Sequence, residues 1–222
     1  MPLIHSSPVS SVVIAGAGGF GLELFDYLQD EAFRGGVTVA GFIDDTPGGT
    51  VPDGIDVPHL GTIGDFRAAP SQVVVVAIGS VKGRQIVLEK LNANNIATPA
   101  YVHPSAIVSP AATLGKAVLI CPYTIVNRNA VMDDASVANV HCSIGHGARV
   151  GAYSVLSPYA ALNGDAIIGM GCFLGTRATI YPRINIGDGC IVDSHTGVRV
   201  NAEPRHMISS RGTYQVSALR MR

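Results

Sequence analysis

The chain has 222 residues, a formal net charge of −1, four cysteines and no tryptophan. That length allows one or two domains with a substantial core. A near-neutral balance without a basic stripe excludes nucleic acid as an expected partner. The opening MPLIHSSPVS lacks the charged start and apolar core of a signal peptide, and no apolar run approaches a membrane span, so the expected location is cytoplasmic.

The first element is VVIAGAGGFGLELFDYL, residues 12–28, which reads as strand, glycine turn and helix. Gly16, Gly18 and Gly21 match G-x-G-x-x-G, with Leu24 and Leu28 one helical turn apart behind them. Such a turn aims backbone N–H groups and a helix N-terminus at a phosphate. A second strand, VTVAGFIDD, ends in Asp44 and Asp45, whose carboxylates can accept hydrogen bonds from a ribose or a base. A third, VVVVAIGS, precedes a helix carrying Arg84, Ile86, Leu88 and Leu91. Apolar strands alternating with helices predict a small parallel α/β domain of Rossmann type over residues 1–100. About 95 residues is short for a full dinucleotide fold, and the rest of the chain offers no dehydrogenase-type second domain. Nucleotide binding is therefore expected, and hydride transfer is not.

From Val108 onward every sixth residue is aliphatic: Val108, Leu114, Ile120, Val126, Met132, Ala138, Ile144, Val150, Leu156, Leu162, Ile168, Leu174, Ile180, Ile186, Val192 and Val198. Ala138 is the weakest of these. Two residues before each stands a mostly small residue, such as Ala130, Ser136, Cys142, Ala148 and Ser154. Directly after each comes Gly, Asn, Asp or Ser in most repeats, where unusual backbone angles are expected. A period of six fits neither a helix nor a simple alternating strand and predicts a parallel β-helix for residues 101–222, three hexapeptides to a coil. Cys142, Cys172 and Cys190 fall in the small-residue slot and read as small buried hydrophobes. No cysteine spacing suggests a metal site or a disulfide framework.

A small nucleotide-binding α/β domain followed by hexapeptides resembles the sugar acetyltransferases of the bacillosamine, perosamine and sialic acid type. The likeness rests on GAGGFG, GFIDD, AIGS with Arg84, HPSAIVS at residues 103–109, the repeat itself and IGHGARVG. It implies a homotrimer with a left-handed β-helix, and acetyl transfer from acetyl-CoA to a nucleotide-linked amino sugar held by the N-terminal domain. Such enzymes place an asparagine seven residues before a catalytic histidine, which implies Asn139 and His146 here. Carried over position by position, Val155, Gly164, Thr176 and Ser194 face CoA, while Gly18, Gly19, Phe20, Asp44, Asp45 and Gly79 face the nucleotide sugar. The chemistry agrees, because an attacking amine must lose a proton and an imidazole can take it at neutral pH. His141 and His195 read as structural or near-site. Three features depart from the family pattern. Gly147 stands where an acidic residue commonly follows the histidine, Phe20 replaces a histidine in the glycine turn, and the tail MISSRGTYQVSALRMR lacks the usual closing motif. Two alternatives remain: an O-acetyltransferase with a sialic-acid-like acceptor, and a non-catalytic trimeric sugar-binding protein.

Overall fold

A computed structural model describes residues 3–4, 8–33, 36–46, 51 and 54–210. Part of the N-terminal segment and the tail from residue 211 onward, which carry the leader and closing-motif expectations, lie outside the described residues. The chain opens with β1 (Leu3–Ile4) and a three-stranded parallel sheet of β2 (Ser11–Ala15), β3 (Thr38–Ile43) and β4 (Gln72–Val76), in the order β3-β2-β4. Helices α1 (Gly19–Phe33) and α2 (Val81–Ala93) follow β2 and β4. Val12, Val13, Ile14 and Ala15 are fully buried, as a strand covered on both faces requires. Leu24 and Leu28 of α1, and Leu88 and Leu91 of α2, close the two sides, whereas Ile86 is exposed.

From β5 (Ala100–Val102) the chain winds as a left-handed parallel β-helix of two-residue strands. Face 1 stacks β5 with Leu119–Ile120, Val137–Ala138, Val155–Leu156, Phe173–Leu174, Ile191–Val192 and Met207–Ile208. Face 2 runs from Ile107–Val108 through Ser143–Ile144 to Gly197–Val198, and face 3 from Thr113–Leu114 through Arg149–Val150 to Asn185–Ile186. Inside the prism lie the aliphatic residues from Ile120 to Val198, with Ala138 also fully buried. Each large aliphatic contributes about 1.5–3 kcal/mol by leaving water. From Thr124 onward the small slot is largely buried too, and hydroxyls there find local acceptors: Thr124 Oγ1 donates to Asn139 O at 2.8 Å and Ser136 Oγ to Asp133 O at 2.7 Å. All four cysteines are free and buried. Burial pushes the Cys142 thiol up to about 12, so it stays protonated and inert.

The turns differ from the sequence reading in one respect. Left-handed backbone falls on the third residue after the aliphatic slot, at Tyr123, Asn129, His141, Gly147, Tyr159, Asp165 and their equivalents. Most send their N–H to the coil below, as His141 does to Pro122 O at 3.0 Å and Gly147 to Arg128 O at 3.0 Å. The glycines directly after the slot answer a different need, close stacking of coils. A Cβ on Gly145 would stand 2.6 Å from the backbone of Asn163. The solenoid also continues past Val198: Ile191 pairs with Met207 and Ile186 with Ala202, so the last coil takes 16 residues where the others take 18.

The two units share a core. Leu119, Val137 and Val155 point outward from face 1 and pack with Leu3, Val12 and Phe25. β1 pairs antiparallel with β5, so the first described residues belong to the solenoid sheet and not to the small one. Arg84 is fully buried at the joint. Its Nη1 donates to Val76 O at 2.6 Å, Nη2 to Ala117 O at 2.9 Å and Nε to Ala135 O at 3.0 Å, the last two on the corner between faces 3 and 1. On α1, Tyr27 meets His103 edge-on at 5.2 Å, which gives HPSAIVS its place in the joint. The small domain therefore covers face 1 and the corner between faces 3 and 1.

Candidate active site

Strand order β3-β2-β4 puts a topological switch point between the carboxyl ends of β2 and β4, where open α/β sheets bind ligands. Gly18 and Gly19 lie there at the start of α1, and Gly79 ends the loop from β4. All three are exposed, and a Cβ built on any of them meets no protein atom within 4 Å. The chain's own packing does not demand glycine at these positions, while a ligand approaching the backbone would. Gly21 differs, since a side chain there would collide with Gly16 O. Phe20 is half-buried against the core under α1.

Asp44 links the glycine turn to β3. Its Oδ2 accepts from Ala17 N and its Oδ1 from Thr46 N, both at 2.7 Å. Burial alone would raise this carboxyl, but the hydrogen bonds from Thr46 and Ala17, with a smaller effect of His59, hold it below its ordinary value. Asp45 has both oxygens engaged, one by Ile63 N at 2.8 Å and the other by Lys90 Nζ at 2.6 Å. The geometry thus gives Asp44 the place beside the turn and ties Asp45 to α2. Ala17, His59 and Ser80, none singled out in the sequence, join this neighbourhood; Ser80 caps α2 by accepting from Gly83 N at 3.2 Å. A cleft of about 420 Å³ opens between Gly79, Ser80 and Val81 and the coil residues Gly171, Phe173, Gly189 and Ile191.

His146 and Asn139 stand at opposite ends of one face-2 segment. Asn139 lies at the corner between faces 1 and 2, half-buried, with Oδ1 accepting from Val140 N at 2.6 Å. His146 is exposed at the corner between faces 2 and 3. A Cβ built on Gly164, one coil up, would stand 2.5 Å from both Cε1 and Nε2 of His146, so the Cε1–Nε2 edge of the imidazole lies against that glycine. Among the described residues no group of the chain accepts the N–H of Gly164. An imidazole beside a free backbone N–H is a base next to a carbonyl-polarising donor.

Thr176, half-buried, and exposed Ser194 stack one above the other at the corner between faces 1 and 2, away from Gly164. Val155 is corrected by the structure. It is 4% exposed beneath the small domain, among residues of the shared core, and not on a surface that a cofactor could reach. Docking of the small domain on face 1 is the reason, and no local sequence feature announces it. His141 is sandwiched between Tyr123 and Tyr159, with ring centroids at 5.0 and 4.6 Å, and Arg177 stacks on Tyr159 at 4.9 Å. That ladder follows the 18-residue coil and reads as surface packing.

Residues 11–91 match the PglD N-terminal domain family. Over 171 residues the chain is 27% identical to the GDP-perosamine N-acetyltransferase of Escherichia coli O157:H7, covering 75% of this chain and 76% of that one. The structure aligns with that of PerB from Caulobacter crescentus, which was solved in complex with CoA and GDP-perosamine, at a TM-score of 0.77 and 27% identity, covering 90% of this chain and 94% of that one. This is the architecture of a sugar acetyltransferase with a left-handed β-helix. The acetyltransferase domain of PglB from Neisseria gonorrhoeae, solved with acetyl coenzyme A, also aligns, at 25% identity and 88% and 93% coverage with a TM-score of 0.77. The likeness spans both units of the acetyltransferase fold and their joint. No described helix is long and apolar enough to cross a membrane.

Proposed function

We propose that the chain is an acetyl-CoA-dependent N-acetyltransferase acting on a nucleotide-linked amino sugar of the 4-amino-4,6-dideoxy type, for surface-glycan synthesis, with His146 as general base. The observation that carries this reading is the exposed imidazole lying over Gly164, beside that residue's unclaimed N–H. The amine attacks the thioester carbon as His146 takes its proton. The Gly164 N–H donates to the carbonyl oxygen where charge develops. Asn139 lends an amide donor to the acyl end of CoA, and Thr176 and Ser194 line its path. The relatives that carry CoA and GDP-perosamine support an amine acceptor over a hydroxyl.

Gly18, Gly19, Phe20, Asp44 and Gly79 hold the nucleotide sugar at the switch point. His146, however, occupies the corner opposite the face that the small domain covers. One chain therefore does not join its own sugar site to its own base, and the reading requires a neighbouring subunit to supply the second half. The assembly proposed is a homotrimer. The test is thioester cleavage with UDP-, GDP- and dTDP-linked 4-amino-sugars and their hydroxyl counterparts, together with the mass in solution. Turnover with an amino-sugar and a mass three times 23.0 kDa are expected. Turnover restricted to hydroxyl acceptors, or full activity in a monomer, would overturn it.

A further inference from the structure

A base that accepts the amine proton becomes an imidazolium, and a nearby carboxylate stabilises that cation. Position 147, next to His146 in the chain, has no side chain to offer. Yet the space beside it is filled. A Cβ built on Gly147 would collide with Oδ1 of Asp165, one coil up. One residue earlier in the same two coils, a Cβ on Gly164 would stand 2.5 Å from the His146 ring. The pairs His146-Gly147 and Gly164-Asp165 are reciprocal, each glycine leaving the room that the other coil's side chain occupies. The register is locked, since Asp165 N donates to His146 O at 2.9 Å.

We propose that Asp165 is the positioning carboxylate of His146, supplied by the next coil instead of the next residue. This rests on His146 being the general base. In the reaction the amine nitrogen bonds to the thioester carbon and its proton passes to the imidazole. The C–S bond then breaks and the proton leaves with the thiolate as CoA thiol. Asp165 exchanges no proton; its charge, set beside Gly147, favours the imidazolium as it forms.

The surroundings leave this carboxylate available. Arg128 lies one coil below His146, and Arg183 one coil above Asp165, where its N–H donates to Gly164 O at 3.0 Å. Asn129 is the uncharged member of the Asp165 column one coil below Gly147. Arg149, on the adjoining strand, is held by Asp133 at 2.9 Å. Asp165 is exposed, and its carboxylate is in no ion pair among the described residues.

The experiment compares Asp165→Asn, Gly147→Asp and the exchange Gly147→Asp/Asp165→Gly with wild type and His146→Asn. Asp165→Asn should lower kcat about tenfold and move the acid limb of kcat/KM about one unit towards lower pH, with KM for acetyl-CoA held within about twofold. Gly147→Asp alone collides with Asp165 and should lose activity. The exchange should recover kcat to within about threefold of wild type. An aspartate fits at 147, where φ is +65°, because Asn129, Asp165 and Arg183 carry side chains in that column at φ of 58°, 58° and 60°. A crippled His146→Asn beside an Asp165→Asn with normal kcat and an unmoved acid limb overturns the proposal alone. A silent His146→Asn overturns the reading of the base, and this proposal with it.

Discussion

Gly164→Ala is the sharpest perturbation of the site, because one methyl group acts on the base and on little else. The added Cβ would stand 2.5 Å from Cε1 and Nε2 of His146, whereas carbon contacts settle near 3.5–4.0 Å. The imidazole must therefore retreat by about 1 Å, and a misplacement of that size costs about 10² in rate. The cost to folding should be small. The ring is an exposed, movable side chain, and Gly164 does not sit in the left-handed region that penalises alanine. Removing a glycine from the unfolded chain even favours the folded state by about 0.4–1 kcal/mol. Steady-state kinetics and thermal melts on the same preparation read both effects. The expectation is a kcat lower by about 10², with a Tm unchanged or raised by about 1–4 °C. A kcat within about threefold of wild type would refute the seat assigned to the imidazole.

Arg84→Met should lower Tm by about 6–12 °C in calorimetry, since losing the charge-assisted bonds that cross the joint to Ala117 O and Ala135 O costs about 3 kcal/mol; a drop under about 2 °C would mean that they contribute little. Asp44 has a folded-state pKa below the ordinary aspartate value of 3.8, so its stabilisation is fully present above that pH and lost as pH falls through the lower folded value. The Tm gap between wild type and Asp44→Asn should accordingly be open at neutral pH and close as the pH falls below 3.8, whereas a gap independent of pH would point away from the carboxylate. Replacing Asp44 and Asp45 together with Ala should raise KM for the sugar acceptor far more than KM for acetyl-CoA, and unchanged acceptor binding would move the sugar site elsewhere.

The solenoid was legible because its code is local and repeated. Each inward position from Ile120 to Val198 obeys a spacing of six, and Cys142, Cys172 and Cys190 sit where Ala and Ser sit in other coils. The glycine turn was legible for a similar reason, as strand, turn and helix are contiguous. What stayed hidden depends on stacking across 18 residues or on docking of the two units. The left-handed residues lie two positions beyond the expected glycines, because the coil-to-coil hydrogen bond sets the turn and glycine propensity does not. Val155 fits the family pattern for a cofactor contact, yet the small domain lies on it. The meeting of His146 with Gly164, and of Gly147 with Asp165, becomes readable only when the sequence is written in rows of 18.

The most direct test of the whole account is kcat for His146→Asn measured beside His141→Asn, with acetyl-CoA and a nucleotide-linked 4-amino-sugar. His146→Asn keeps a polar side chain of similar reach but cannot accept the proton, so kcat should fall by about 10² to 10⁴ while CoA binding persists. His141, stacked between Tyr123 and Tyr159, should cost less than about tenfold when replaced. A crippled His141→Asn beside a nearly normal His146→Asn would contradict the assignment of the base.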